Sequence, residues 1–264
     1  MPIKRLLVLA WALVAVFVSA AWAQAERVVD IPTRPGVTQR ILLLGPDNPR
    51  AAVILFPGGH GGLRLSSDGK LQWGEGNFLV RTREMFAAQG LLVAVVDAPS
   101  DRQSPPYLNR FRQTPAHVAD IKAVIAWLKR QARVPVWLVG TSRGTQSAAF
   151  IATQLAPADG GPDGLVLTST ILSDDKGRPV PDMEVDKIAV PVLVVHHRRD
   201  GCKHCAYAGI PHLMDKLSAA PKKELLTFDG GQTRGDPCEA MAYHGFNGIE
   251  KDVVTGIAQW IEAK

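Results

Sequence analysis

Short, nearly continuous apolar runs alternate along this chain with stretches whose apolar residues recur every three or four positions. No other feature constrains the fold as much. The runs fall at 40–44, 52–56, 91–96, 136–139, 165–167, 192–195 and 225–228, and most are dense in Val, Leu and Ile. Runs without polar alternation suit strands buried on both faces, as in a parallel sheet covered by helices. Residues 28–31 read as an antiparallel edge. Between the runs, Val118, Ile121, Ile125 and Leu128 share one helical face, and Thr114-Pro115 supplies a cap and a first-turn proline. Ile210, Leu213, Met214 and Leu217 form a second stripe, and Val253, Val254, Ile257, Trp260 and Ile261 a third. A further helix is expected over 77–89, ended by Gly90. The order strand, helix, strand from about residue 52 predicts an α/β domain. Its mostly parallel sheet has about eight strands, with helices on both faces. With 264 residues, 46% of them hydrophobic, such a chain can fill its core without metals.

In parallel sheets of this kind, ligands sit beyond the carboxyl ends of the strands. After the run at 136–139 comes Gly140-Thr141-Ser142-Arg143-Gly144, then a helical stretch over 145–155. That is G-x-S-x-G between a strand and a helix, the setting in which a sharp turn exposes a nucleophilic serine. Ser142 is the expected nucleophile, and the backbone N–H of Arg143 an expected donor to a developing oxyanion. The run at 52–56 ends in Pro57-Gly58-Gly59-His60-Gly61-Gly62. A glycine-rich loop lets backbone N–H groups approach a substrate oxygen, so Gly59 or His60 is expected to give the second donor. It lacks the Lys-Ser/Thr ending of a phosphate-binding loop.

The run at 192–195 leads into His196-His197-Arg198-Arg199-Asp200-Gly201, and His244 lies between the last run and the last helix. The chain order Ser, Asp, His then makes Asp200 the orienting acid and His244 the base. Asp229, one strand later, is the competing acid. His196 and His197 are the alternative bases but lie too early in this order, and His117 reads as structural.

These residues resemble the α/β-hydrolase superfamily over nearly the whole chain. The resemblance rests on the 57–62 loop, Gly140-Thr141-Ser142-Arg143-Gly144, Asp200 and His244, in that order. Asn77-Phe78-Leu79-Val80-Arg81 and Cys238-Glu239-Ala240 resemble a group of exported bacterial members. The resemblance implies hydrolysis of an ester, thioester or amide through an acyl-enzyme, with a small-molecule substrate, no cofactor and no metal. Many members insert a helical cap between the sixth and seventh strands. Residues 173–188, with Pro179 and Pro181, read here as a loop, so no large cap is expected. Dienelactone-hydrolase-like members carry Cys at the nucleophile position, which is Ser142 here.

Cys202 follows the expected acid and Cys238 precedes the expected base. If both loops meet at one end of the sheet, a Cys202–Cys238 disulfide would pin Asp200 near His244 and leave Cys205 free. A Cys202–Cys205 pair, or zinc on Cys202, His204 and Cys205, are the alternatives. Trp73, Phe78 and Tyr107 follow early strands and are candidates to line the substrate pocket.

The N-terminus has the layout of a secretory signal peptide. Lys4 and Arg5 precede an apolar stretch over 6–18, and Ala21-Trp22-Ala23 is a small-x-small cleavage site. Cleavage is expected after Ala23, with Ala25 as the alternative, leaving 24–264 as one domain without a stable membrane anchor, periplasmic or secreted. The net charge of +5 is scattered rather than gathered with aromatics, which argues against nucleic acid as a partner. The oligomeric state has no signature. The reading is an exported serine hydrolase of the carboxylesterase type. A non-catalytic binding protein on the same fold is the rival from another class, and an amidase or peptidase the rival within it.

Overall fold

A computed structural model describes residues 24–175 and 177–263. The expected signal peptide lies outside the described residues. Eight strands form one sheet: β1 (Gln24–Arg34), β2 (Val37–Gly45), β3 (Ala51–Phe56), β4 (Leu91–Val96), β5 (Val136–Thr141), β6 (Gly164–Thr168), β7 (Val192–His197) and β8 (Lys223–Phe228). Their spatial order is β1-β2-β4-β3-β5-β6-β7-β8. β1 pairs antiparallel with β2, and β2 antiparallel with β4; every other pairing is parallel.

The apolar runs become strands because both of their faces are covered. Along β3, Ala52, Ile54 and Phe56 enter one core while Val53 and Leu55 enter the other. This two-residue period is the pleat of an extended chain. On the first face pack α3 (Pro115–Ala132), α4 (Gly144–Gln154) and α5 (Ile210–Lys216). Over the second lie α1 (Phe78–Arg81), α2 (Arg83–Ala88) and α6 (Glu250–Glu262). Each buried Val, Leu or Ile contributes about 1.5–3 kcal/mol by leaving water. α3 starts as expected, with Thr114 Oγ1 accepting the His117 N–H at 3.3 Å and Pro115 in its first turn.

One expected helix differs. Residues 77–89 form two short helices that meet at Thr82, not one continuous helix. Thr82 Oγ1 donates to the Phe78 carbonyl at 2.7 Å, and Thr82 stands at φ −99°, ψ 3°. A side-chain bond back to the preceding turn competes with the helical ladder and bends it. Between β6 and β7 the described residues form only single 3₁₀ turns, Val180–Asp182 and Val185–Lys187, so no large cap covers the sheet.

β4 lies on one side of β3 and β5 on the other. Successive crossovers therefore diverge at the carboxyl ends of β3 and β5, which opens a crevice there. The 57–62 loop and the turn at Ser142 face each other across it.

Candidate active site

The turn after β5 is forced by close packing. Ser142 has φ +51°, a left-handed conformation that non-glycine residues rarely hold. Its N–H donates to the Thr168 carbonyl at 3.1 Å, and its own carbonyl accepts from the Thr145 N–H at 2.9 Å. A Cβ on Gly144 would stand 2.0 Å from the Phe56 carbonyl oxygen, and one on Gly140 2.6 Å from the Gly144 oxygen. Only glycine permits this approach, and the approach brings α4 against β3 with Ser142 at the apex. The N-terminal amides of α4 have no side-chain cap. They give that end of the helix a partial positive charge.

Asp200 follows β7 and is buried. One carboxylate oxygen accepts the Cys202 N–H at 2.9 Å, and the other lies 2.9 Å from His244 Nδ1. A carboxylate there fixes the proton on Nδ1, leaving Nε2 as an acceptor. Among the described residues His244 Nε2 has no partner. The base loop is held from two sides. Ser169 Oγ donates to the His244 carbonyl at 2.7 Å, and Arg81, paired with Glu250, donates to the Gly245 carbonyl at 2.6 Å. Asp229, the competing acid, lies on the surface and binds Arg198 at 2.9 Å.

A Cys202–Cys238 disulfide joins the acid loop to the base loop, and Cys205 is a buried free thiol. Burial pushes the Cys205 thiol up, and it donates to the Ser169 carbonyl. The alternative Cys202–Cys205 pair and the zinc set on Cys202, His204 and Cys205 are thereby excluded, because Cys202 has no thiolate to give.

Ser142 and His244 border one cleft of about 410 Å³, together with Gly59, Arg143, Trp73 and Phe78. Trp73 is 37% exposed, whereas the Phe78 ring is buried against Phe246. Tyr107 corrects an expectation: it does not line this cleft. Its ring stacks 4.4 Å from that of His60 and covers Gly62, so it packs behind the glycine loop. His60 lies between Tyr107 and Trp73, with its Nδ1 accepting the Gly62 N–H at 3.1 Å. Burial, then the charge of Arg112, lowers its pKa. His60 borders a neighbouring pocket and not the cleft, whereas Gly59 borders both. The Arg143 guanidinium is bidentate on Asp174, at 2.8 and 3.2 Å.

Two residues of this region, Asp174 and Arg112, had no sequence motif around them. Asp174 lies in the loop after β6 and Arg112 in the loop before α3. His196 is buried beside Asp200, 3.6 Å from its carboxylate, with Nε2 on the Cys205 carbonyl at 2.7 Å. In the sequence His196 stands with His197 as an alternative to His244 as the base, placed too early in the chain order.

No protein-family model matches the chain, and no curated protein matches it by sequence. Solved structures do match in fold. An esterase of Pyrococcus furiosus superposes with a TM-score of 0.65 at 14% identity, over 90% of this chain and 91% of that one. A cold-adapted esterase from an Arctic intertidal metagenomic library gives 0.60 at 16%, over 91% and 93%. Dienelactone hydrolase from Anabaena variabilis gives 0.58 at 16%, over 90% and 95%. The chain has the fold these proteins share, that of the α/β-hydrolases.

Proposed function

We propose that this chain, an α/β-hydrolase in fold, is an exported serine hydrolase that cleaves a small ester through an acyl-enzyme. One observation carries the reading. A buried histidine receives Asp200 on Nδ1 and, among the described residues, keeps Nε2 unpartnered, in the cleft that also holds Ser142 on its positive-φ turn. Ser142 Oγ attacks the acyl carbon while His244 Nε2 takes its proton. Asp200 holds the imidazole in that tautomer and stabilises it once protonated. The developing oxyanion takes hydrogen bonds from the backbone N–H groups of Arg143 and Gly59, near the positive end of α4. His244 then returns the proton to the leaving alkoxide. Water, activated by the same imidazole, attacks the acyl carbon and releases the acid. Esterases and a dienelactone hydrolase among the structural neighbours agree with this chemistry.

The test is labelling of the oxidised protein by a fluorophosphonate probe, beside Ser142→Ala. Labelling of the wild type and none of the folded variant is expected. A folded wild type that is not labelled would overturn the hydrolase reading in favour of a ligand-binding role.

A further inference from the structure

Next to the cleft, and sharing Gly59 and Arg143 with it, lies a larger pocket of about 910 Å³. Its wall includes Arg112, which is 4% exposed. That guanidinium donates from Nη1 to Ser147 Oγ at 2.9 Å, and from Nη2 to the carbonyls of Pro57 and Gly59 at 3.1 and 3.2 Å. All three acceptors are neutral, and among the described residues Nε has no partner. The cationic neighbour, Arg143, is already matched by Asp174. His60 and His117, the other titratable groups close by, are both held toward the neutral form by burial, with Arg112 adding to the shift. Arg110 and Asp175, both exposed, line the same pocket. Burying a cation without a counter-ion costs several kcal/mol. Here that cost is borne in the wall of a pocket that shares Gly59 and Arg143 with the reaction cleft.

We propose that this pocket is a carboxylate subsite centred on Arg112, so that the favoured substrate is an ester carrying a free carboxylate a few bonds from the scissile bond. This rests on the ester-hydrolase reading above. Among the described residues the lining carries Arg110, Arg112 and Arg143 against Asp174 and Asp175, one positive charge in excess, which suits a monoanion better than a dianionic phosphate. The same guanidinium holds the Pro57 and Gly59 carbonyls, so the carboxylate would dock on the residue that also fixes the glycine loop.

The test compares 4-nitrophenyl esters whose acyl chain ends in a carboxylate with isosteric esters ending in a carboxamide, over a series of spacers. A hydrogen bond to a charged group contributes about 1.5–3 kcal/mol, so kcat/KM should favour the carboxylate by roughly ten- to a hundredfold for at least one spacer. The preference should shrink as salt rises, persist in Arg112→Lys and vanish in Arg112→Gln. Should Arg112→Gln fail to fold, the exposed Arg110→Gln is expected to lower the preference a few-fold. Calorimetric binding of glutaramate against glutaramide reads the subsite without catalysis, and the carboxylate should bind more tightly. Equal rates and equal binding in wild type would overturn the subsite. Absent fluorophosphonate labelling with glutaramate still preferred would overturn the hydrolase reading alone.

Discussion

His117 sits between the rings of Phe56 and Phe111 with neither ring nitrogen hydrogen-bonded among the described residues. Burial, then the charges of Arg112 and Arg34, brings its pKa down to about 3 from 6.5. Between those values the unfolded chain binds a proton that the folded chain refuses. Its contribution is therefore fully present above pH 6.5 and is lost as pH falls toward 3, by about 1.4 kcal/mol per pH unit. Thermal melts from pH 7 to pH 4 should show a shallower decline for His117→Leu than for wild type, and equal slopes would refute the assignment. At Asp200 the expected effect is catalytic. Asp200→Asn keeps the shape but donates to Nδ1, which forces the wrong tautomer, and kcat should fall on the order of 10⁴-fold with KM little changed. A loss confined to KM would remove Asp200 from the role proposed for it.

Two elements meet at Ser142 because Gly144 lets α4 touch β3. Gly144→Ala places a methyl group 2.0 Å from a backbone carbonyl that cannot yield. The strand and helix must separate, and a loss of about 1–3 kcal/mol or more is expected from such overpacking. A urea midpoint unchanged by this substitution would contradict the packing described. The acid and base loops are coupled differently, by a disulfide spanning 36 residues. Loop closure of that length corresponds to about 4 kcal/mol of chain entropy. Cys202→Ser with Cys238→Ser should lower the urea midpoint and also kcat, since Asp200 and His244 ride on the loops it joins. Reductant should mimic the double variant, and no response to reductant would show that the hydrogen bonds of Ser169 and Arg81 suffice.

Across the whole molecule, the antiparallel β1–β2 edge begins at Gln24, which pairs with Gly45. A cut after Ala25 would take two residues, Gln24 and Ala25, from that edge. The exported protein is proposed to start at Gln24, and its intact mass checks this. A mass that includes Met1 would contradict the export proposal. No helix among the described residues is long and apolar enough to cross a membrane.

Periodicity by itself determined most of the fold. Strands buried on both faces must be continuously apolar and helices on a sheet must be striped, so β3, β4 and β7 could be read from Val, Leu and Ile alone. The Ser142 turn was equally legible, since its geometry depends on glycines at fixed local spacing. Tertiary structure alone decided what depends on distant chain segments. Thr82 breaks its helix through a side-chain bond that propensity does not reveal. Tyr107 leaves the cleft because His60 and Trp73 stack into a sandwich with it. Cys202 reached Cys238 and not Cys205 because β7 and the last loop come together beyond the sheet. The charge at Arg112 acquired meaning only from burial, because an arginine in a loop is ordinary in sequence and costly only when water and counter-ions are excluded.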